Sequence, residues 1–224
     1  MVDSRVNAGH ILPNSGLSGG RWYPKATARP LAHNFAVFPA PRPILYLVLH
    51  IANGMGSPYD WFNRRGGDVS AHFWVSRAGV VEQYRPLDDV CWSNGPLNKP
   101  NLERGFLRLM NDAGTNGNTY GVAIEHEGLA GEALTPVQQA ASIVLTRWLA
   151  QECRIHLGPD TVLRHSDFDS ETRGGCPGFD IKPWYASPIE ELFHAIWPET
   201  ETIAHAAVEI QRLIGAYKQR AGIP

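Results

Sequence analysis

Short apolar runs recur along the chain and predict strands. Residues 44–49 (ILYLVL) form a continuous apolar run after a proline, which is typical of a strand buried on both faces. Residues 70–76 and 80–84 flank a short loop that contains glycine, and they predict a hairpin. Residues 121–127 and 161–164 are two further short segments of this kind, and each predicts one more strand.

Segments with helical spacing lie between and after these runs. Thr135-Pro136-Val137-Gln138 combines a threonine N-cap, a proline at the first helical position and a glutamine at the capping-box position. The apolar residues that follow recur at helical spacing, so we expect this helix to continue to about His156. Another helix start is predicted at Ser187. Strands interleaved with helices predict the α/β class, with a single mixed β-sheet flanked by helices.

The sequence divides into three predicted parts. Residues 1–42 are rich in glycine, proline and basic residues and show no period, so they predict an irregular N-terminal extension. Residues 43–198 hold the strands and helices of one domain, and residues 199–224 predict a C-terminal amphipathic helix. Within the domain, residues 93–119 predict a long loop with a short helix near residues 102–110. A loop of this length in a compact domain is usually functional.

Composition narrows the class of partner. With 224 residues, 43% of them hydrophobic, the chain can bury a proper core. Twenty Lys+Arg against 22 Asp+Glu leave a net charge of −2, which favours neither nucleic acid nor an anionic membrane surface as a partner. No apolar stretch approaches the ~18 residues of a membrane span, and the N-terminal segment lacks the apolar region of a signal peptide. We therefore expect synthesis in the cytoplasm and no stable insertion into a membrane.

Two predicted strands end in histidine, and a cysteine follows the second of them. His50 closes the first strand and His165 the last, while Cys176 lies in the glycine-rich segment 174–178. Side chains at strand ends are held by a rigid scaffold at the rim of a sheet. Two histidines and a cysteine make a three-ligand zinc site with its fourth position open, as catalytic zinc requires. The alternative is structural, because a lone histidine is often a hydrogen bonder and a lone cysteine a small buried hydrophobe.

Five segments, in order along residues 43–185, resemble one enzyme family. They are LVLHIANG around His50, the hairpin from Ser70 to Tyr84, YGVAIE ending at Glu125, RHSD around His165, and CPGFD from Cys176. This set is similar to the zinc-dependent N-acetylmuramoyl-L-alanine amidases, which include phage lysozyme-type amidases and peptidoglycan recognition proteins. The resemblance implies hydrolysis of the amide between the lactyl group of N-acetylmuramic acid and the L-alanine of the stem peptide, with Zn²⁺ as cofactor.

The resemblance also implies roles for individual residues. His50, His165 and Cys176 take the positions of the metal ligands. Glu125 takes the position of the glutamate that acts as general base in the cytosolic branch of the family. Glu127 lies two residues further along, on the same face of the predicted strand, so the pattern alone leaves both carboxylates open.

Two positions depart from the family pattern. Ala71 replaces the tyrosine of the phage branch, which gives Glu125 more weight, and Gly174 replaces a lysine that steadies the oxyanion in many members. The adjacent Arg173 is the candidate substitute for that lysine. Three further residues are candidate substrate contacts, with core or structural roles as the alternative: His72, Trp92 and Asn94.

Peptidoglycan or a muropeptide fragment is therefore the expected partner. The long loop 93–119, the N-terminal extension and Cys176 favour a phage or prophage endolysin, which would need a holin-type pore to reach the cell wall. The alternatives are a cytosolic enzyme that recycles anhydromuropeptides and a non-catalytic module that binds peptidoglycan. All three predicted metal ligands are present, which argues against the non-catalytic module.

Overall fold

The computed structural model describes residues 20–38 and 42–185. The strands in these ranges are β1 (Thr27–Ala28), β2 (Phe35–Val37), β3 (Tyr46–Ile51), β4 (Phe73–Val75), β5 (Val81–Gln83), β6 (Asp89–Cys91), β7 (Gly121–His126) and β8 (Val162–Arg164). The helices are α1 (Tyr59–Phe62), α2 (Gly105–Asp112), α3 (Pro136–Cys153), α4 (His165–Phe168) and α5 (Lys182–Tyr185).

Six of the strands form one mixed sheet, in the order β1-β5-β4-β7-β3-β8. Strand β7 is parallel to both of its neighbours, β3 and β4, and β3 is also parallel to β8, whereas β4 and β5 form the predicted antiparallel hairpin. The predicted α/β fold with a central mixed sheet is therefore confirmed. Strands β2 and β6 pair separately as a small antiparallel sheet, which the sequence did not predict because each strand has only three residues.

The register of the parallel strands decides which side chains meet at the rim of the sheet. In β3 and β7, His50 pairs with Glu125 and Ile51 pairs with His126. In β3 and β8, Leu49 pairs with Arg164, so the chain leaves β8 beside His50. Because the carboxyl ends of parallel strands meet at one edge, the last residues of β3, β7 and β8 form a common platform.

Apolar side chains cover both faces of the sheet. On one face, Leu47 and Leu49 pack in the largest core cluster with Leu145 and Leu149 of α3. On the other face, Tyr46 and Val48 pack with residues of α2 and α4 in a smaller cluster. Alternation along β3 places His50 on this second face, beyond Val48, where the apolar cover ends.

Helix α3 begins as the sequence predicted. The Thr135 hydroxyl accepts a hydrogen bond from the Gln138 backbone N–H, and the Gln138 side chain accepts one from the Thr135 N–H. Both bonds satisfy N–H groups that have no partner within the helix. The helix ends at Cys153, three residues before the predicted end, because Arg154 adopts a left-handed backbone conformation at the C-cap.

Residues 20–38, predicted to be irregular, contribute two short strands to the fold. Strand β1 pairs with β5, and the side chains of Tyr23, Leu31 and Phe35 are buried. The helix start predicted at Ser187 and the helix predicted over 199–224 lie outside the described residues. In the part of the chain that is described, no helix is long and apolar enough to cross a membrane.

Candidate active site

The structure brings the three predicted metal ligands together at the rim of the sheet. His50 lies near the end of β3, His165 is the first residue of α4 directly after β8, and Cys176 comes from the loop that follows α4. Their donor atoms all lie within 4.8 Å of one another, and the Nδ1 atoms of the two histidines are 3.0 Å apart. The backbone N–H of Ile51 donates to the Cys176 sulfur at 3.5 Å, which ties the loop to β3.

The chemistry of this donor set fits zinc. Two imidazole nitrogens and one sulfur are ligands that Zn²⁺ prefers, and three protein ligands leave a coordination position open. Burial, with the neighbouring His165, lowers the pKa of His50 well below its usual value. Burial, with Arg173, lowers the pKa of His165 to about 4. Both rings are therefore neutral at pH 7, the form that binds metal.

The cysteine requires a cation to become a ligand. Burial, assisted by the nearby Glu125 carboxylate, raises the pKa of the Cys176 thiol to about 12 in the metal-free protein. A metal ion beside a thiol reverses this effect, because a coordinating thiol is deprotonated by the charge of the ion.

Glu125 is a buried carboxylate with an unsatisfied oxygen. Its side chain is 12% exposed, and its Oε1 lies 3.9 Å from the Nδ1 of His50. Its Oε2 has no hydrogen-bond partner among the described residues. Burial raises the pKa of Glu125 to about 8, and the positive charge of Arg173 opposes this shift. Unpartnered buried polar atoms are rare in folded proteins, and a shifted carboxyl beside a metal-type cluster is a signature of a functional site.

The structure separates Glu125 from Glu127, which the sequence pattern could not do. The Glu127 Oε1 accepts a hydrogen bond from the backbone N–H of Gly56 at 2.6 Å, and its Oε2 accepts one from the backbone N–H of Arg77 at 2.8 Å. Both oxygens of Glu127 are therefore occupied in holding two loops together. Glu125 lines the cleft described next, whereas Glu127 does not.

An open cleft of about 700 Å³ surrounds the three candidate ligands and Glu125. Arg173, the candidate substitute for the family lysine, is one of the residues that line this cleft. A Cβ at the neighbouring Gly174 would lie only 3.1 Å from the Ser170 carbonyl oxygen. The lining of the cleft includes Met55 and Trp61, which are 66% and 48% exposed. Neither residue was predicted as part of the site from the sequence. Trp61 lies in the polar, glycine-rich segment that follows the turn after His50. A large aromatic residue in such a segment is the one sequence signal that could have indicated a role in the site.

Three predicted substrate contacts lie away from the lining of the cleft. Trp92 is half-buried, and its backbone N–H donates to the Ser70 hydroxyl. His72 is buried, and its Nδ1 accepts a hydrogen bond from the backbone N–H of Ala123. Asn94 is buried, and its Oδ1 lies 3.0 Å from the Nε2 of His50. Asn94 therefore contacts the candidate ligand His50. His72 and Trp92 are not among the residues that line the cleft.

The fold and the site define a class of α/β domains with a His-His-Cys cluster and a buried glutamate at the rim of a mixed sheet. The family model described as N-acetylmuramoyl-L-alanine amidase matches residues 40–179, more than half of the chain. The chain therefore belongs to this amidase family, as its motifs predicted.

Solved structures match this chain at low sequence identity. The crystal structure of a selenomethionine AmpD derivative is 21% identical, with a TM-score of 0.58 over 75% of this chain and 97% of that one. The amidase LysC from Clostridium intestinale is also 21% identical, over 76% of this chain and 97% of that one, with a TM-score of 0.47. The Ph2119 endolysin of a Thermus scotoductus bacteriophage is 17% identical over 69% and 88% of the chains, with a TM-score of 0.45. No curated protein matches the sequence significantly.

Proposed function

We propose that this amidase cleaves the bond between N-acetylmuramic acid and L-alanine with a zinc ion held by His50, His165 and Cys176. The observation that carries the proposal is the unpartnered Oε2 of Glu125, in the same cleft as a cluster of two histidines and a cysteine. When bound, zinc supplies a Lewis acid and lowers the pKa of a water molecule bound to it to about 7.

Glu125 is the proposed general base. A cation bound in the ligand cluster would favour the ionised form of this carboxyl, which burial disfavours in the metal-free protein. Its Oε2 has no competing hydrogen bond within the described residues, so this oxygen is free to accept a proton from the attacking water. The same oxygen then delivers the proton to the nitrogen of the departing L-alanine, which completes hydrolysis without a covalent enzyme intermediate. A position at the end of a rigid strand keeps the carboxylate in place for both transfers.

Arg173 is the proposed electrostatic partner of the reacting carbonyl. Its exposed side chain lines the cleft, and its charge acts on Glu125, His50 and His165. A cation at this position favours the negative charge that develops on the carbonyl oxygen in the transition state. Arg173 would thus replace the lysine that other family members carry one residue further along, where this chain has Gly174.

Metal analysis combined with product analysis tests the proposed chemistry. Purified protein is expected to contain about one zinc per chain, to lose activity in a chelator and to regain it when zinc is returned. Mass spectrometry of digested peptidoglycan is expected to show stem peptides with a free L-alanine amine. Full activity in metal-free protein would contradict the zinc mechanism, and products cut elsewhere would contradict the assigned bond.

The proposed biological role is that of an endolysin that reaches the wall through a pore-forming partner such as a holin. The open cleft supports this role, because a polymer must enter from the side with its chain continuing beyond the site. The second candidate is recycling of soluble anhydromuropeptides. Rates on intact sacculi and on soluble anhydromuropeptide, measured with the same preparation, separate the two roles. A strong preference for the soluble substrate would contradict the endolysin role.

A further inference from the structure

Asn94 lies behind the candidate ligand His50, on the side away from the cleft. It follows β6 in the loop that leads to α2, and it is 3% exposed. Its Nδ2 donates a hydrogen bond to the Gly117 carbonyl oxygen at 2.8 Å. A carbonyl oxygen can only accept, so the orientation of the amide is settled and Oδ1 must face His50.

This orientation determines which nitrogen of His50 carries the proton. The Asn94 Oδ1 lies 3.0 Å from the His50 Nε2 and can only accept a hydrogen bond, so Nε2 carries the hydrogen. The Nδ1 of the neutral ring then has a free lone pair, and it lies 3.0 Å from the Nδ1 of His165, inside the ligand cluster.

The backbone around Asn94 is held in place by another asparagine. The Oδ1 of Asn118 accepts hydrogen bonds from the backbone N–H groups of Ser93, Asn94 and Gly95, at 3.0, 2.6 and 3.3 Å. The Asn94 amide is therefore fixed at both ends, by Asn118 through the backbone and by Gly117 through the side chain. A fixed acceptor restricts the orientation of the imidazole that donates to it.

We infer that Asn94 is a positioning residue that selects the metal-binding tautomer and ring orientation of His50, and not a contact for substrate. The inference rests on the proposed zinc site. Hydrogen-bond partners behind a metal-ligating histidine typically change metal affinity by about 10–100-fold when they are removed. Asn94→Ala is therefore expected to weaken zinc binding by about 10–100-fold. Asn94→Asp keeps an acceptor for the Nε2 hydrogen but loses the hydrogen bond donated to the Gly117 carbonyl oxygen. It is therefore expected to bind zinc more tightly than Asn94→Ala.

Zinc affinity, measured by competition with a chromophoric chelator, tests this expectation. Asn34→Ala is the matched control, because Asn34 is also a buried asparagine, and its side chain donates to the carbonyl oxygens of Phe62 and Arg64. We expect Asn34→Ala to lower the melting temperature but to keep the zinc affinity of the parent. KM at saturating zinc is expected to be unchanged in Asn94→Ala.

The tautomer itself is measured in metal-free protein from the ¹⁵N chemical shifts of the two His50 ring nitrogens. These signals are identified because they are absent from the spectrum of His50→Gln. The parent is expected to show the hydrogen on Nε2, and Asn94→Ala is expected to show a mixture of tautomers. Parent-like zinc affinity in Asn94→Ala, equal weakening in Asn94→Asp, or a raised KM with normal zinc affinity would each overturn the inference. Failure of the proposed zinc site gives a different result, because the parent protein itself would then bind no zinc. The ¹⁵N shifts of the His50 ring would still show whether Asn94 selects its tautomer.

Discussion

Exchanging each of two neighbouring glutamates for glutamine is expected to produce opposite effects on activity and on stability. Glu125 and Glu127 are two residues apart, but they differ in their hydrogen bonds. One oxygen of Glu125 has no partner among the described residues, whereas both oxygens of Glu127 accept backbone hydrogen bonds. Glutamine has nearly the same shape as glutamate but cannot act as a general base, so the two substitutions form a matched pair.

The expected size of each effect follows from these contacts. General base catalysis contributes about 10²–10⁴ in rate, so Glu125→Gln is expected to lower turnover by at least about 10²-fold, or about 2.7 kcal/mol. Its melting temperature should stay the same or rise, because burial disfavours the ionised carboxylate and the neutral amide of glutamine cannot ionise. In Glu127→Gln, a neutral amide replaces the carboxylate that accepts two backbone hydrogen bonds at a half-exposed position. This change is expected to lower the free energy of unfolding by about 1–3 kcal/mol, with little change in turnover.

Initial rates on a purified muropeptide, zinc content and melting temperature should be measured on the same preparations of parent and both variants. Equal zinc content confirms that a change in rate comes from the carboxylate and not from loss of metal. A greater loss of turnover in Glu127→Gln than in Glu125→Gln, or parent-like turnover in Glu125→Gln, would show that Glu125 is not the general base.

Three further predictions concern other residues. Arg173→Ala is expected to lower turnover by about 10²-fold with a smaller effect on KM, because the oxyanion exists only in the transition state, and parent-like kinetics would contradict this role. The exposed Trp61 indole is expected to contact substrate. In steady-state kinetics, Trp61→Ala should therefore raise KM with turnover preserved, and Trp61→Phe should keep a KM near that of the parent. Burial, with the Arg42 guanidinium, lowers the pKa of His72 to about 3 in the folded protein. As the pH falls below about 6.5, His72 becomes protonated in the unfolded chain but stays neutral in the folded one. The free energy of unfolding is therefore expected to fall between about pH 6.5 and 3, by up to ~1.4 kcal/mol per pH unit. Denaturant unfolding at several pH values checks this, and an equally steep fall in His72→Gln would refute it.

Local patterns determined much of this fold and its candidate ligands. The strand that ends near His50, the hairpin and the start of α3 each depend on residues close together in sequence, so hydrophobic period and capping chemistry predict them. The three candidate ligands were predicted because each lies in a short motif, two of them at strand ends and the third in a glycine-rich segment. Strands β2 and β6 were missed, since three residues carry no period and each pairs with a strand more than fifty residues away.

Only the tertiary structure decided the remaining details of the site. Glu125 and Glu127 share a face in the sequence pattern, but the register of β3 with β7 places Glu125 beside His50, while the loops at Gly56 and Arg77 engage Glu127. Asn94 contacts His50 across 44 positions of sequence. Such contacts depend on how distant segments pack, and a hydrogen bond between them leaves no period, cap or turn signal in the sequence of either segment.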